Sequence, residues 1–202
     1  MTHWGRFRIN TKEGGDRSKF DMQYSVHAPS QFICTHLDRL LPDWSSPVLS
    51  VLVVLQPCSC DLVKKTSIAE AQKQRLRQNF LQFGYRVASQ LQQKGHLAEV
   101  FDPRTGLPLL SQAGQLRLDD VAIVRSCLGY QTMDSAGCLV ILHPLWGSSV
   151  YPSTLLSAAA PEVVALVSAT VGREMQNLFQ SEVQGVASDD RNATNPLRAV
   201  AS

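Results

Sequence analysis

Residues 47–55 read Pro-Val-Leu-Ser-Val-Leu-Val-Val-Leu, an almost unbroken apolar run rich in β-branched side chains. A run of this length without polar alternation predicts a central strand covered on both faces. Further on, Leu76, Phe80, Phe83, Val87 and Leu91 recur at steps of four, three, four and four, which is one apolar stripe along a long helix. Ser67 and Glu70 stand at capping-box spacing before it, and Gly95 supplies a left-handed stop after it. Upstream, Pro29-Ser30 opens a short helix with Ile33, Leu37, Leu40 and Leu41 on its apolar side, ended by Pro42. His96–Phe101 alternates as a strand does, and Asp102-Pro103-Arg104-Thr105-Gly106 is a turn by composition. The β-branched centre Val121-Ala122-Ile123-Val124 predicts a strand within Leu118–Leu128. Gly129–Gly137 reads as a polar loop, Cys138–His143 as a short strand and Val150–Leu156 as another. A last helix starts at Ala160-Pro161-Glu162, with Val164, Val167, Val171, Met175 and Leu178 as its stripe.

The ends look different. Residues 1–25 are polar and carry Gly14-Gly15, and they read as a disordered leader. Residues 184–202 are small, polar and Pro-containing, and read as a disordered tail. One folded unit over residues 26–183, with helices interleaved among strands, is an α+β domain. The composition, 44% hydrophobic and 18% charged, suits a packed domain. A net charge of +2 does not supply the concentrated basic face of a dedicated nucleic-acid binder. No apolar run approaches the roughly 18 residues of a membrane span, and no apolar stretch follows the N-terminal arginines as in a secretory signal.

Candidate chemistry is sparse. There is no Gly-x-Ser-x-Gly elbow, Walker loop, dinucleotide Gly-x-Gly-x-x-Gly or His-Glu-x-x-His helix. The five cysteines are Cys34, Cys58, Cys60, Cys127 and Cys138. An odd count without an export signal suits a reducing compartment rather than a disulfide framework. Cys58-Ser59-Cys60 has one intervening residue, not the two of a redox or zinc knuckle, so a thiol-redox role ranks low. Asp119-Asp120 point to opposite faces of a strand and read as solvated turn charges. His143, at a strand end before Pro144, is a structural histidine more often than a base. Trp146 beside Gly147 reads as a core residue. Cys138 follows Gly137 at the rim of a polar loop, where a sulfur is reachable as a soft ligand or nucleophile. The bland alternative is an inert small hydrophobe.

Leu128-Gly129-Tyr130, Asp134, Gly137-Cys138, Val140-Ile141-Leu142-His143 and Leu145-Trp146-Gly147 together resemble the CblD family, the methylmalonic aciduria and homocystinuria type D proteins. Phe101-Asp102-Pro103 with Gly106-Leu107 resembles a turn upstream in the same family. The order of elements agrees over about two thirds of the chain.

The resemblance implies a truncated flavin-reductase or nitroreductase-like sheet with packed helices that has lost flavin binding and is not an enzyme. It implies an intracellular vitamin B12 trafficking adaptor that partners CblC, the cobalamin-processing protein. Such an adaptor helps direct cobalamin to methionine synthase and methylmalonyl-CoA mutase. One cysteine thiolate of the family coordinates the cobalt of cobalamin held by the partner, and the matching position here is Cys138. Leu139 stands where the family pattern has a second cysteine. The long leader that carries mitochondrial targeting in the animal proteins is largely missing here, so the expected location is the cytoplasm first and the mitochondrion second. The competing class is a flavin-dependent reductase on a related fold. It would need a basic, Gly-rich or helix-N-terminal cradle for the flavin phosphate, and none stands out.

Overall fold

The computed structural model describes residues 2–13, 16–60, 62–63, 66–135 and 137–189, with side chains described outside 8–20 and 179–189. The first two strands, β1 (His3–Glu13) and β2 (Asp16–His27), pair antiparallel. The disordered leader expected over residues 1–25 is thereby corrected. The segment is poor in apolar residues, but those it has alternate. Met22, Tyr24 and Val26 are buried on one face of β2, and Phe7 of β1 is buried with them. Gly5 pairs with Tyr24, whose ring lies where a β-carbon at position 5 would be, so the aromatic packs directly on backbone.

Strand β3 (Ser50–Pro57) is the buried apolar run. It lies between β2 and β7 (Val150–Ser157), and β7 pairs in turn with the short β4 (Ala98–Val100). The order β1-β2-β3-β7-β4 is antiparallel throughout. Alternate residues of β3 serve two cores, as period two requires. Leu52 and Val54 meet Phe80, Phe83, Val87 and Val171 of α3 (Ser67–Gln93) and α5 (Pro161–Asp189). Val51, Val53 and Leu55 join the opposite cluster with α1 (Gln31–Thr35), α2 (Leu37–Leu40) and α4 (Asp120–Leu128). Helices on both faces of one antiparallel sheet make this an α+β domain. No helix among the described residues is long and apolar enough to cross a membrane.

Helix α3 starts one residue earlier than the capping-box spacing suggests. Thr66 is the cap, accepting from the Ala69 amide at 3.1 Å, and Glu70 instead pairs with Lys73 at 2.8 Å. The helix expected from Ser30 to Leu41 is two short pieces broken at His36, with Ser30 capping the first. The larger correction concerns Leu118–Leu128, which is helix α4 rather than a strand. Asp119 accepts from the amides of Val121 and Ala122, and Gly129 closes the helix in the left-handed region at φ 67°. Two capping devices at helix spacing override the β preference of Val-Ala-Ile-Val. At the C-terminus α5 continues to Asp189, past the expected tail boundary at 184, and the rest of that segment lies outside the described residues. The stripe of α5 is buried from Val164 through Met175, while Leu178 is half-exposed.

Candidate functional site

The segment read as the loop Gly129–Gly137 contains a strand. β5 (Thr132–Ser135) pairs antiparallel with β6 (Cys138–Ile141) as a two-stranded sheet separate from the main one. Its polar composition hid it, since Thr132, Asp134 and Ser135 give no apolar alternation. The closing pair is Ser135 opposite Cys138. Gly137 turns the chain at φ 80°, and its amide donates to Asp134 Oδ1 at 3.1 Å. A left-handed residue in a two-residue connection favours glycine strongly.

Cys138 is therefore the first residue after the turn of a side hairpin, with an exposed free thiol. Three exposed apolar side chains lie on this hairpin and in the loop after it. Met133 is 43% exposed, Leu139 51% and Leu145 76%. The residue readings had assigned these three no role; their signal is apolar character within an otherwise polar stretch.

The base of the hairpin is fixed. Ile141 is buried, and the Leu142 amide donates to the Gln131 carbonyl at 2.8 Å. His143 and Gly147 exchange backbone hydrogen bonds of 2.8 and 2.9 Å, closing a tight loop. Inside it the His143 ring is 4% exposed and stacks on Trp146 at 4.0 Å, with Tyr130 edge-on at 5.4 Å. Its Nδ1 accepts from the amides of Leu145 and Trp146 at 3.1 and 3.2 Å. Two donors on Nδ1 place the proton of the neutral ring on Nε2, which has no hydrogen-bond partner among the described residues. Burial, and secondarily the positive charge of Arg6, pushes the His143 pKa down. Arg6, held by Asp21 at 2.6 and 2.9 Å, lies 5.7 Å from the Trp146 ring centroid. His143 is thus a structural acceptor, as its sequence position suggested, and Trp146 is half-buried against the α4-side cluster.

The remaining candidates lie elsewhere in the chain. Asp119 is a helix cap. Asp120 is not the solvated charge expected: it accepts from the Thr154 hydroxyl at 2.6 Å, and burial pushes its pKa up to about 7. Cys58 and Cys60 touch, Sγ to Sγ 3.3 Å, both half-buried. A groove of about 550 Å³ lined by Lys73, Arg77, Arg104 and Tyr151 contains none of the residues predicted for chemistry. Two of its cations are already paired, Lys73 with Glu70 and Arg77 with Asp102. Among the described residues no group of three metal-ligating side chains occurs.

An antiparallel α+β sheet carrying an accessible thiol on a side hairpin defines a thiol-presenting domain. Comparison with known proteins gives that domain a family. The profile of the methylmalonic aciduria and homocystinuria type D protein family matches residues 9–169, and the chain belongs to that family. Over 141 residues, 70% of this chain, it is 25% identical to the human cobalamin trafficking protein CblD. Over the same length it is 22% identical to the chicken protein of that name and 24% identical to the rat protein. The chain spans about half the length of these relatives, since the match covers 48% of each.

Proposed function

We propose that this chain is a cobalamin trafficking adaptor that offers the Cys138 thiolate to the cobalt of a cobalamin held by a CblC-like processing protein. The observation that carries the reading is the placement of an exposed thiol at the turn of a hairpin separate from the main sheet. Cobalamin is cargo here, not a resident cofactor. The corrin ring occupies the four equatorial positions of cobalt, so a protein needs to add only one axial donor. A lone thiol suits that requirement, and sulfur is a soft donor suited to a transition metal. Met133 and Leu139 of the hairpin and Leu145 of the loop after it add exposed apolar surface to this part of the domain that a partner can cover.

The rest of the reading follows from the family. The sheet corresponds to a shortened nitroreductase-like one without flavin, and the cargo is destined for methionine synthase and methylmalonyl-CoA mutase. The working compartment is the cytoplasm, with the mitochondrion second.

The test is a visible absorption spectrum of the partner loaded with oxidised cobalamin, titrated with this protein and with Cys138→Ala. Sulfur in the axial position changes the corrin bands. A change with the native chain that is absent in the variant is the expected result. Binding without any spectral change refutes thiolate ligation and leaves a docking adaptor. No binding refutes the partnership itself.

A further inference from the structure

Cys58 and Cys60 lie where β3 ends. Both are free, both are half-buried, and their sulfurs are 3.3 Å apart. That is non-bonded contact, about 1.3 Å longer than a disulfide bond. The contact is held by the main chain. Cys58 N donates to the Ser149 carbonyl at 2.9 Å, continuing the β3–β7 ladder one step past the Pro57–Val150 pair. The Cys60 amide in turn hydrogen-bonds the Cys58 sulfur. Two thiols held in contact react with each other as if at very high concentration, because the encounter entropy is already spent. The Cys138 reading makes no use of this pair.

We propose that Cys58 and Cys60 are a redox pair that a low-molecular-weight disulfide of the glutathione class closes into an intrachain disulfide. The Cys60 thiolate attacks one sulfur of glutathione disulfide, forming a mixed disulfide and expelling one glutathione thiolate. Cys58 then loses its proton and attacks the Cys60 sulfur, expelling the second glutathione. Two protein thiols are oxidised by two electrons, one glutathione disulfide is reduced to two glutathiones, and each leaving thiolate takes up one of the two protons released. The order follows from surroundings. Burial pushes the Cys58 thiol up, so it keeps its proton in the reduced pair and acts second. Closure ties Cys60 to the end of the central strand.

The full chain permits a clean test. Trypsin cuts after Arg39 and Lys64, and peptide 40–64 contains only these two cysteines. Peptide 20–39 contains only the exposed Cys34, which reports that the oxidant has acted. The protein is equilibrated with glutathione buffers of rising disulfide fraction, quenched with acid, alkylated, digested and weighed. Peptide 40–64 should become about 2 Da lighter and resist alkylation. The change should follow the buffer ratio and reverse with dithiothreitol. Cys60→Ser should abolish it. The proposal is overturned if peptide 40–64 stays alkylated at both thiols, or carries only glutathione adducts, where Cys34 is already glutathionylated. Neither outcome depends on cobalamin, so this proposal and the Cys138 reading stand or fall separately.

Discussion

His143 is the residue whose replacement most directly tests how the site is mounted. Its Nδ1 is the acceptor for the amides of Leu145 and Trp146, and its ring lies on Trp146 at 4.0 Å. His143→Leu keeps apolar bulk but leaves both amides without an acceptor. Each such loss costs about 1 kcal/mol, and the lost ring stack adds about 1 kcal/mol, so the variant should be about 3 kcal/mol less stable. With a urea slope of about 2 kcal/mol per molar, the unfolding midpoint should fall by about 1.5 M. His143→Asn keeps an oxygen near the Nδ1 position and should recover about two thirds of the loss. The acid limb adds a second readout. Because the native pKa lies below that of the unfolded chain, the unfolded state binds more protons. The contribution is therefore complete above about pH 6.5 and declines as the pH falls through that value toward the native pKa. His143→Asn should flatten that decline, leaving the share due to His27, whose pKa burial also lowers. Equal midpoints for the Leu and Asn variants would refute the acceptor role. A His143→Leu midpoint within about 0.3 M of wild type would refute the whole account.

Two further outcomes follow from other parts of the fold. Asp120 has a native pKa raised to about 7, so the native state holds its proton more tightly than the unfolded chain does. Stability from this group is present below about pH 4 and lost as the pH rises toward 7. Asp120→Asn should stabilise the protein at pH 8 by an amount on the order of 2 kcal/mol and change little at pH 4; parallel urea curves at the two pH values would refute this. Gly137→Val places a β-branched residue at φ 80°, and beyond its chain neighbours no atom of the described residues lies within 4 Å of its β-carbon, so the penalty is conformational. A penalty of about 1–2 kcal/mol should speed amide exchange across Thr132–Ile141 by about five- to thirty-fold without moving the global midpoint, and unchanged exchange would refute it.

How much of the fold could be read in advance depended on how strongly each element repeats. β3, α3 and α5 bury long regular patterns, so their existence and type follow from spacing alone. α4 was misread because four β-branched or small residues outweighed the cap at Asp119 and the stop at Gly129, both visible in the sequence. The β1–β2 pair was missed because Gly14-Gly15 and the many charged residues of the segment outweighed the alternation of Phe20, Met22, Tyr24 and Val26 along β2. The site shows the same division. The exposure of Cys138 was inferred from its place beside Gly137, but the role rested on family resemblance. The hairpin itself was not legible, since its pairing is set by a turn and by Asp134 rather than by a buried face. The contact between Cys58 and Cys60 depends on how the backbone bends after β3, which residue spacing does not specify.

The run from Gly137 to Gly147 is best understood as a mount with separate parts. Gly137 makes the turn, Ile141 anchors the hairpin in the α4-side core, and the His143–Trp146 stack locks the loop that follows. Cys138 stands three residues before Ile141 along a strand, so at about 3.3 Å per residue its backbone is carried about 10 Å from the buried anchor. For the proposed ligation of a metal inside another protein that reach matters, because a sulfur flush with the main sheet would be blocked by its own helices. Reach alone would leave the sulfur free to wander, and the entropy of fixing it would weaken the proposed bond to cobalt. The buried base lowers that entropy, which is why His143, remote from any chemistry of its own, belongs to the same device as Cys138.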